Sequence, residues 1–259
     1  LNEDLPQVDI GGLSIISLIA KVGQPIGLLE GPVPLRDSQG RIVVASNGLP
    51  VAADDPEVYG DVQYDYVMGI SNSFSYKGLR FSFLFDIRQG GLMYSRTADL
   101  QYFSGTAPIT TYNNREPFIV SNSVVDSGTT DENGNPIYVE NTTPVDNTNL
   151  YTYWGNGGDL RERSFVISKS FIKLRELAVN YSLPKSILGT NFLKDVTIGV
   201  VGRNLWIRTP KSQTFIDPEA ATLGNYNKNL ADNDIEAEFG EYSAFPSTRS
   251  IGFNLRLTF

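Results

Sequence analysis

The 259 residues carry 21 basic and 29 acidic side chains, a net charge of −8, with no histidine and no cysteine. Ser-His-Asp catalysis, HExxH zinc sites, thiol nucleophiles and disulfides are therefore excluded. The acidic balance argues against a nucleic-acid partner, whose binding needs a basic stripe to displace counterions from phosphates. Charged residues are 19% of the chain and aromatics 11%, with 24 glycines and 14 prolines, a mixture that points to β-structure with many turns.

In chain order, the apolar run Ile10 to Ala20 is too short for a membrane-crossing helix, which needs roughly 20 residues. Residue 1 is Leu, with no basic segment and apolar stretch of a secretory signal behind it, so the chain reads as processed or as a piece of a longer one. Leu13 to Ala20 is a weak strand candidate because its apolar residues barely alternate. The first strong strand is Tyr64 to Tyr76, with Tyr64, Tyr66, Met68, Ile70, Phe74 and Tyr76 on one face and Asp65, Gly69, Ser71, Ser73 and Ser75 on the other. A tight turn at Lys77 and Gly78 leads into Leu79 to Ile87, where Leu79, Phe81, Phe83, Phe85 and Ile87 oppose Arg80, Ser82, Asp86 and Arg88, interrupted only by Leu84.

The same grammar returns at Ser168 to Leu183, ended by Pro184, which cannot donate to a ladder. It continues in Val196 to Ile207 and in the terminal strand Ile251 to Phe259, with Ile251, Phe253, Leu255, Leu257 and Phe259 on one face. Between strands the connections alternate: about 40 residues after Ala20, two after Tyr76, roughly 75 after Arg88, about ten after Leu183 and roughly 40 after Ile207, against a usual median of about 4 to 6. Long connections at one end and short turns at the other are how up-and-down outer-membrane barrels are built.

Two long connections share a phrase, Asn47-Gly48-Leu49-Pro50-Val51 and Asn133-Gly134-Asn135-Pro136-Ile137, each preceded by an Asp-Ser pair at Asp37-Ser38 and Asp126-Ser127. Each Asn-Gly predicts a small hairpin in which both residues tolerate positive φ. If the strands cross a bilayer, the apolar parity faces lipid and Arg80, Asp86, Arg88, Arg203 and Arg256 face the lumen. Lys173 and Arg175 share the parity of Leu177 but stand toward the long-loop end, where their side chains would reach water. Tyr64, Tyr66, Tyr76, Tyr181, Trp206 and Phe259 near strand ends fit interfacial girdles. Six or so strands would leave bare edges in lipid, so further strands are expected from elsewhere.

No enzyme signature is present: GxSxG, GxxxxGK and GxGxxG are missing, and the pairs Asp54-Asp55 and Asp131-Glu132 sit in polar loops. Asp131, Asn133 and Asn135 have the spacing of a calcium loop's first ligands, but Pro136 replaces the required Gly and Thr142 the bidentate Glu. The chain is expected to be no enzyme, with no cofactor and no metal.

The last hundred residues carry an ordered series of motifs. Ser170-Phe171-Ile172-Lys173-Leu174-Arg175-Glu176-Leu177-Ala178-Val179-Asn180-Tyr181-Ser182-Leu183-Pro184, then Val200-Val201-Gly202-Arg203-Asn204-Leu205-Trp206, then Ile216-Asp217-Pro218-Glu219, and finally the stretch from Phe245-Pro246-Ser247-Thr248-Arg249 to Phe259 resemble the SusC/RagA family of TonB-linked outer-membrane transporters. Val22-Gly23-Gln24-Pro25-Ile26-Gly27 and Phe74 to Phe83 are more loosely similar, and residues 92 to 161 are unmatched. The resemblance implies an all-β, antiparallel up-and-down transmembrane β-barrel of roughly 22 strands. Residues 1–259 would form the C-terminal part of that barrel domain, the plug and earlier strands lying outside. It also implies a bacterial outer-membrane location with the C-terminus periplasmic, and import of oligosaccharides or peptides. The partners would be a SusD-like surface lipoprotein, TonB acting through the missing N-terminal region, the remaining strands or plug, and lipid.

Phe253, Leu255, Leu257 and Phe259 are expected to form the barrel-assembly signal. Tyr112, Tyr151, Tyr153 and Trp154 are candidate substrate-stacking groups in the long loops. The alternative function is a secreted, soluble β-rich module that binds glycans through the same loop aromatics.

Overall fold

The period-two segments pair as their alternation demands. In a computed structural model, which describes residues 5–13, 15–156, 160, 162–189, 192–211, 216–219 and 239–259, the strands in chain order are β1 (Gln7–Leu13), β2 (Ile16–Lys21), β3 (Leu28–Gly31), β4 (Ile42–Val44) and β5 (Glu57–Asp61). Then come β6 (Tyr64–Tyr76), β7 (Leu79–Gly90), β8 (Leu92–Ser95), β9 (Ser123–Thr130) and β10 (Pro136–Glu140). β11 (Val166–Ser168), β12 (Phe171–Ser182), β13 (Asp195–Arg208), β14 (Gly240–Glu241) and β15 (Ser250–Thr258) complete the series. Two short α-helices lie among the described residues, α1 (Arg96–Phe103) and α2 (Lys185–Leu188). No described helix is long and apolar enough to cross a membrane, which leaves strand-built spans untouched.

The chain divides into two compact units. One comprises Gln63–Gly91, Ser168–Ala220 and Phe245–Phe259, and the other Leu1–Val62, Leu92–Ile167 and Ala221–Ala244. The first unit is a five-stranded antiparallel sheet in the order β15-β13-β12-β7-β6. Its hairpin at Lys77-Gly78 has φ of 46° and 85°, the doubly positive turn that matches strand twist. Gly78 is required there, since a Cβ would lie 2.7 Å from the Ser182 carbonyl oxygen. The pairs Tyr64↔Gly90, Phe171↔Arg88 and Ile172↔Arg208 put the long connections at one end of the sheet, as the connection lengths predict.

Two bulges change which residues share a face. One at Asp65 lets Tyr64 pair with Gly90 while Tyr66 pairs with Gln89, so Tyr64 lies on the Arg88 side and not on the face of Tyr66 and Met68. The second, at Arg175, lets Leu174 pair with Phe85 and Glu176 with Leu84. Lys173 therefore pairs with Asp86 and joins the polar face, contrary to its expected place beside Leu177. It is also 1% exposed, so it does not reach water.

On the apolar face Phe74, Phe81, Phe83 and Phe85 form a chain of ring contacts at 5.6–6.5 Å. The face stays open: Tyr66, Phe74, Val179, Ile198, Val200, Trp206, Ile251 and Leu255 are all exposed, and Phe253 is 84% exposed. An apolar patch of this extent is uncommon on a water-facing surface.

The second unit is built from the long connections, which hold strands that alternation did not announce. β1-β2-β3-β5 form one sheet, β10-β9-β4 a second and β11-β8-β14 a third, with β4 parallel to β9 and β14 parallel to β8. Of the weak candidate Leu13 to Ala20, Leu13 ends β1 and residues 16–20 lie in β2, whose Ile16, Leu18 and Ile19 are buried. A small core joins Val44, Val120 and Val145. The buried Glu241 carboxyl accepts from Ser95 Oγ (2.5 Å) and from the Thr97 amide (3.2 Å) and hydroxyl (2.7 Å), satisfying the first turn of α1, whose N-cap is Ser95.

The Asn-Gly hairpins are present, but only the glycines have positive φ, 78° at Gly48 and 83° at Gly134. Ala45 to Leu49 and Asp131 to Asn135 share one geometry, in which the glycine amide bonds back three residues and the first residue's amide bonds forward four; Asp37 to Arg41 repeats it. Asp131 Oδ1 accepts from the Asn133 and Asn135 amides, both at 2.8 Å, and Oδ2 from Asn135 Nδ2. The Asn135 side chain and these amides hold the Asp131 carboxyl below its ordinary range. The triplet that mimics a calcium loop is thus engaged in closing its own turn.

Replacing these glycines should separate conformational from steric cost. Gly134→Ala meets nothing within 4 Å and should cost roughly 1–2 kcal/mol for the left-handed backbone alone. Gly48→Ala should cost more, because its Cβ would lie 2.8 Å from the Pro144 backbone. Hydrogen exchange of the Asp131 and Ala45 amides, which close the two turns, reads both, with a loss of protection of roughly 5–30-fold expected for Gly134→Ala.

Candidate functional site

The polar face of the five-stranded sheet concentrates charge at its long-connection end. Lys173, drawn to this face by the Arg175 bulge, donates to Asp217 Oδ2 (2.8 Å), Glu219 Oε2 (2.6 Å) and Ser247 Oγ (2.9 Å), which satisfies all three ammonium protons. Arg175 binds Asp86 through Nε (3.0 Å) and a terminal nitrogen, and also Glu219. Arg88 approaches Asp86 (3.5 Å) and Glu219 (3.9 Å) and lies over the rings of Tyr64 and Phe171 at 5.5 and 5.3 Å. Phe171 also carries Lys173 and Arg175 within 5.2 and 5.7 Å of its centroid.

Three cations and three carboxylates thus close a neutral network that fastens residues 216–219 and Ser247 to the sheet. Burial opposes ionisation of Asp217, yet the hydrogen bonds from Lys173 and Ser247 outweigh it and hold the carboxyl below its ordinary value. For Glu219 the Arg175 guanidinium is the chief cause, and with Lys173 it overcomes burial in the same direction.

Of the predicted lumen-facing residues, Asp86 and Arg88 belong to this network. Arg203 pairs with Glu176 at 3.1 Å, and Arg80 donates to Ser73 Oγ at 3.0 Å. Arg203 pairs with Ser250 and Thr197 with Arg256 in the ladder, so both arginines share the polar face. Phe253, Leu255 and Leu257 lie together on the opposite face, opposite Val200, Ile198 and Val196, and Phe259 packs on Phe192 at 5.1 Å. Asp217, Glu219 and Ser247 were named only as parts of motifs. The signal that could have marked them is a lysine and an arginine within an otherwise apolar alternation, which demands nearby acceptors.

The loop aromatics gather in the second unit. Phe118 packs edge-to-face on Tyr112 and on Tyr153, both at 5.0 Å, and Tyr153 on Trp154 at 5.0 Å, while Tyr151 packs on Phe103 at 5.6 Å. Tyr151 and Trp154 line a cavity of about 190 Å³ with Tyr102, Phe103 and Arg115. Trp154 is 9% exposed and Tyr151 52%. Tyr153 lines a separate cavity of about 360 Å³, which the sequence did not indicate. Among the described residues no group of three or more Asp and Glu is placed to hold a metal ion.

Breaking the buried network should release the turn it holds. Lys173→Met leaves Asp217 and Glu219 without their ammonium and should cost about 3–5 kcal/mol of anchoring. The Ser247 amide, which donates to Asp217 Oδ2 at 3.1 Å, reports this through its exchange protection. Because both carboxyls titrate below their ordinary values of 3.8 and 4.5, their contribution is present above those values and is lost as pH falls through the lowered ones. Ser247 protection should therefore hold at pH 5 and above and decline only below about pH 4.

No family model matches the chain. It is 27% identical over 209 residues to TonB-dependent receptor P26 and 27% identical over 210 residues to TonB-dependent receptor P3, both of Formosa agariphila. Each match covers 81% of this chain, which spans 18% of the length of either relative. In structure the whole chain superposes on 25% of a chain of the RagAB peptide importer. The TM-score is 0.58 at 18% identity in the closed-closed state and 0.57 at 17% in the open-open state. Sequence and fold thus agree that the chain is like a stretch of a SusC/RagA-type TonB-dependent transporter, as the motifs of its last hundred residues imply.

Proposed function

We propose that residues 1–259 are the C-terminal part of a transmembrane β-barrel domain that imports nutrients across a bacterial outer membrane. The observation that carries this reading is the five-stranded sheet with one open apolar face and one polar, charged face. A water-soluble module would bury the first of these, and a lipid-facing strand set would not. The sheet edges at β6 and β15 would pair with further strands of a closed barrel of roughly 22 strands, since an open ladder in lipid leaves amides and carbonyls unsatisfied.

In that arrangement Arg80, Asp86, Arg88, Arg203 and Arg256 face the lumen. The C-terminus is periplasmic, and Phe253, Leu255, Leu257 and Phe259 are read as the assembly signal. Import would be driven by TonB acting on a plug outside this chain, with a SusD-like lipoprotein meeting the long connections. The cargo is an oligosaccharide or a peptide; support for a peptide comes from the RagAB importer, whose fold the chain shares. A sugar ring or aromatic side chain would stack on Tyr151 in the cavity bounded by Trp154.

Face-specific substitutions test the membrane reading. Leu255→Arg in the intact protein should cost about 2–4 kcal/mol if the residue sits at mid-bilayer and should deplete the protein from the outer-membrane fraction, whereas Arg256→Leu should not. Deleting Phe259 should lower the assembled amount, read by surface labelling and heat-modifiable gel mobility. Equal outer-membrane levels for Leu255→Arg and the parent would defeat the assignment. Import itself is read as uptake of labelled peptide or oligosaccharide that stops when the proton-motive force is collapsed.

A further inference from the structure

Arg36 stands where a small three-stranded arrangement turns. Pro34 bridges to Ala52, Arg36 to Ile42 and Val44 to Pro50, and the turn from Asp37 to Arg41 closes the first hairpin. The Arg36 guanidinium donates to the Gly40 carbonyl oxygen at 2.7 Å, using one of its five N–H groups. No carboxylate among the described residues lies within 4.0 Å of it. Asp37, next in sequence, is engaged with Arg41 at 2.6 Å, and Glu57 with Arg163 at 2.6 Å. In a chain with 29 acidic and 21 basic residues, a cation so placed is a site that can still receive an anion.

Arg36 lines the 360 Å³ cavity, whose other walls include Val33, Pro34, Ile42, Leu49, Pro50 and Val120. Arg163 also reaches it, but its charge is matched by Glu57 and its guanidinium lies over Tyr59 at 5.5 Å. The volume falls at the lower end of the roughly 300–1,000 Å³ of small-molecule sites, which combine apolar walls with a few polar anchors. A guanidinium fork at the edge of such walls matches one carboxylate on a compact apolar body.

We propose that this cavity binds a free carboxylate carried on an aliphatic body, with Arg36 as the anchor. A peptide C-terminus after an apolar residue and a short fatty acid share that chemistry. The site goes beyond the import reading: a protein that binds such acids and transports nothing would leave it standing.

Calorimetric titration of the intact protein with acetyl-leucyl-leucine, its C-terminal amide and octanoate tests the assignment. The free acid should bind about tenfold more tightly than the amide, the loss expected for one charge-assisted contact at an exposed side chain. Arg36→Gln should abolish that preference, and Arg36→Lys should keep part of it. Arg36 is exposed, so the variant should elute and melt like the parent. Octanoate binding as tightly as the dipeptide would identify a plain aliphatic acid as the ligand; octanoate binding at least tenfold more weakly would identify a peptide C-terminus. Equal affinity for acid and amide, an unchanged preference in Arg36→Gln, or no binding of any of the three probes overturns the proposal.

Discussion

A ladder in which every second residue is apolar commits one whole side of a sheet to an apolar medium, and the other side must then satisfy its own charges. The five strands here obey both halves of that constraint. Phe74, Phe81, Phe83, Phe85, Val200 and Leu255 fill one side, and Arg80, Asp86, Arg88, Glu176 and Arg203 the other. Each charge on the second side for which a contact is described meets a partner on a neighbouring strand or on the segment between β13 and β15.

The bulge at Arg175 is the device that reconciles a charged sequence with this rule. Without it, Lys173 would keep the parity of Leu177 and carry an ammonium into the apolar side. One extra residue reverses the alternation, and the lysine arrives next to Asp86 on the polar side with three acceptors for its three protons. An ion pair this buried is weak evidence for overall stability, because desolvation offsets much of the attraction. Its value is positional: the 216–219 turn and Ser247 are held at a defined place above the strands.

Legibility in the sequence followed the range of the forces involved. β6, β7, β12, β13 and β15 announced themselves through period-two alternation, because a face that meets a uniform medium needs only local patterning. The Lys77-Gly78 turn was equally plain, since its positive φ values are a property of two residues. The bulges were hidden: parity counted through Asp65 and Arg175 misplaced Tyr64, Lys173 and Arg175. The strands of the second unit were hidden for another reason. β4 beside β9, and β14 beside β8, are parallel pairings between distant segments that match over only three and two residues, too short to show a period. The aromatic residues of the loops were visible as types, but which of them meet Phe118 and which border a cavity depends on those long-range pairings.

The direction of the two outermost strands has a numerical consequence. In an antiparallel run of five, β6 and β15 point the same way, so their free edges could meet directly only as a parallel pair. A ring that stays antiparallel throughout therefore needs an odd number of strands from elsewhere. Any even-stranded barrel meets that condition, and ten strands from two copies of this sheet would alternate throughout only if the copies ran in opposite directions. Two copies of the five-stranded unit would place like-directed edges side by side if both kept the same polarity across a membrane. An all-antiparallel ring could therefore not be closed by identically oriented copies of this sheet, and its complement would have to be other strands.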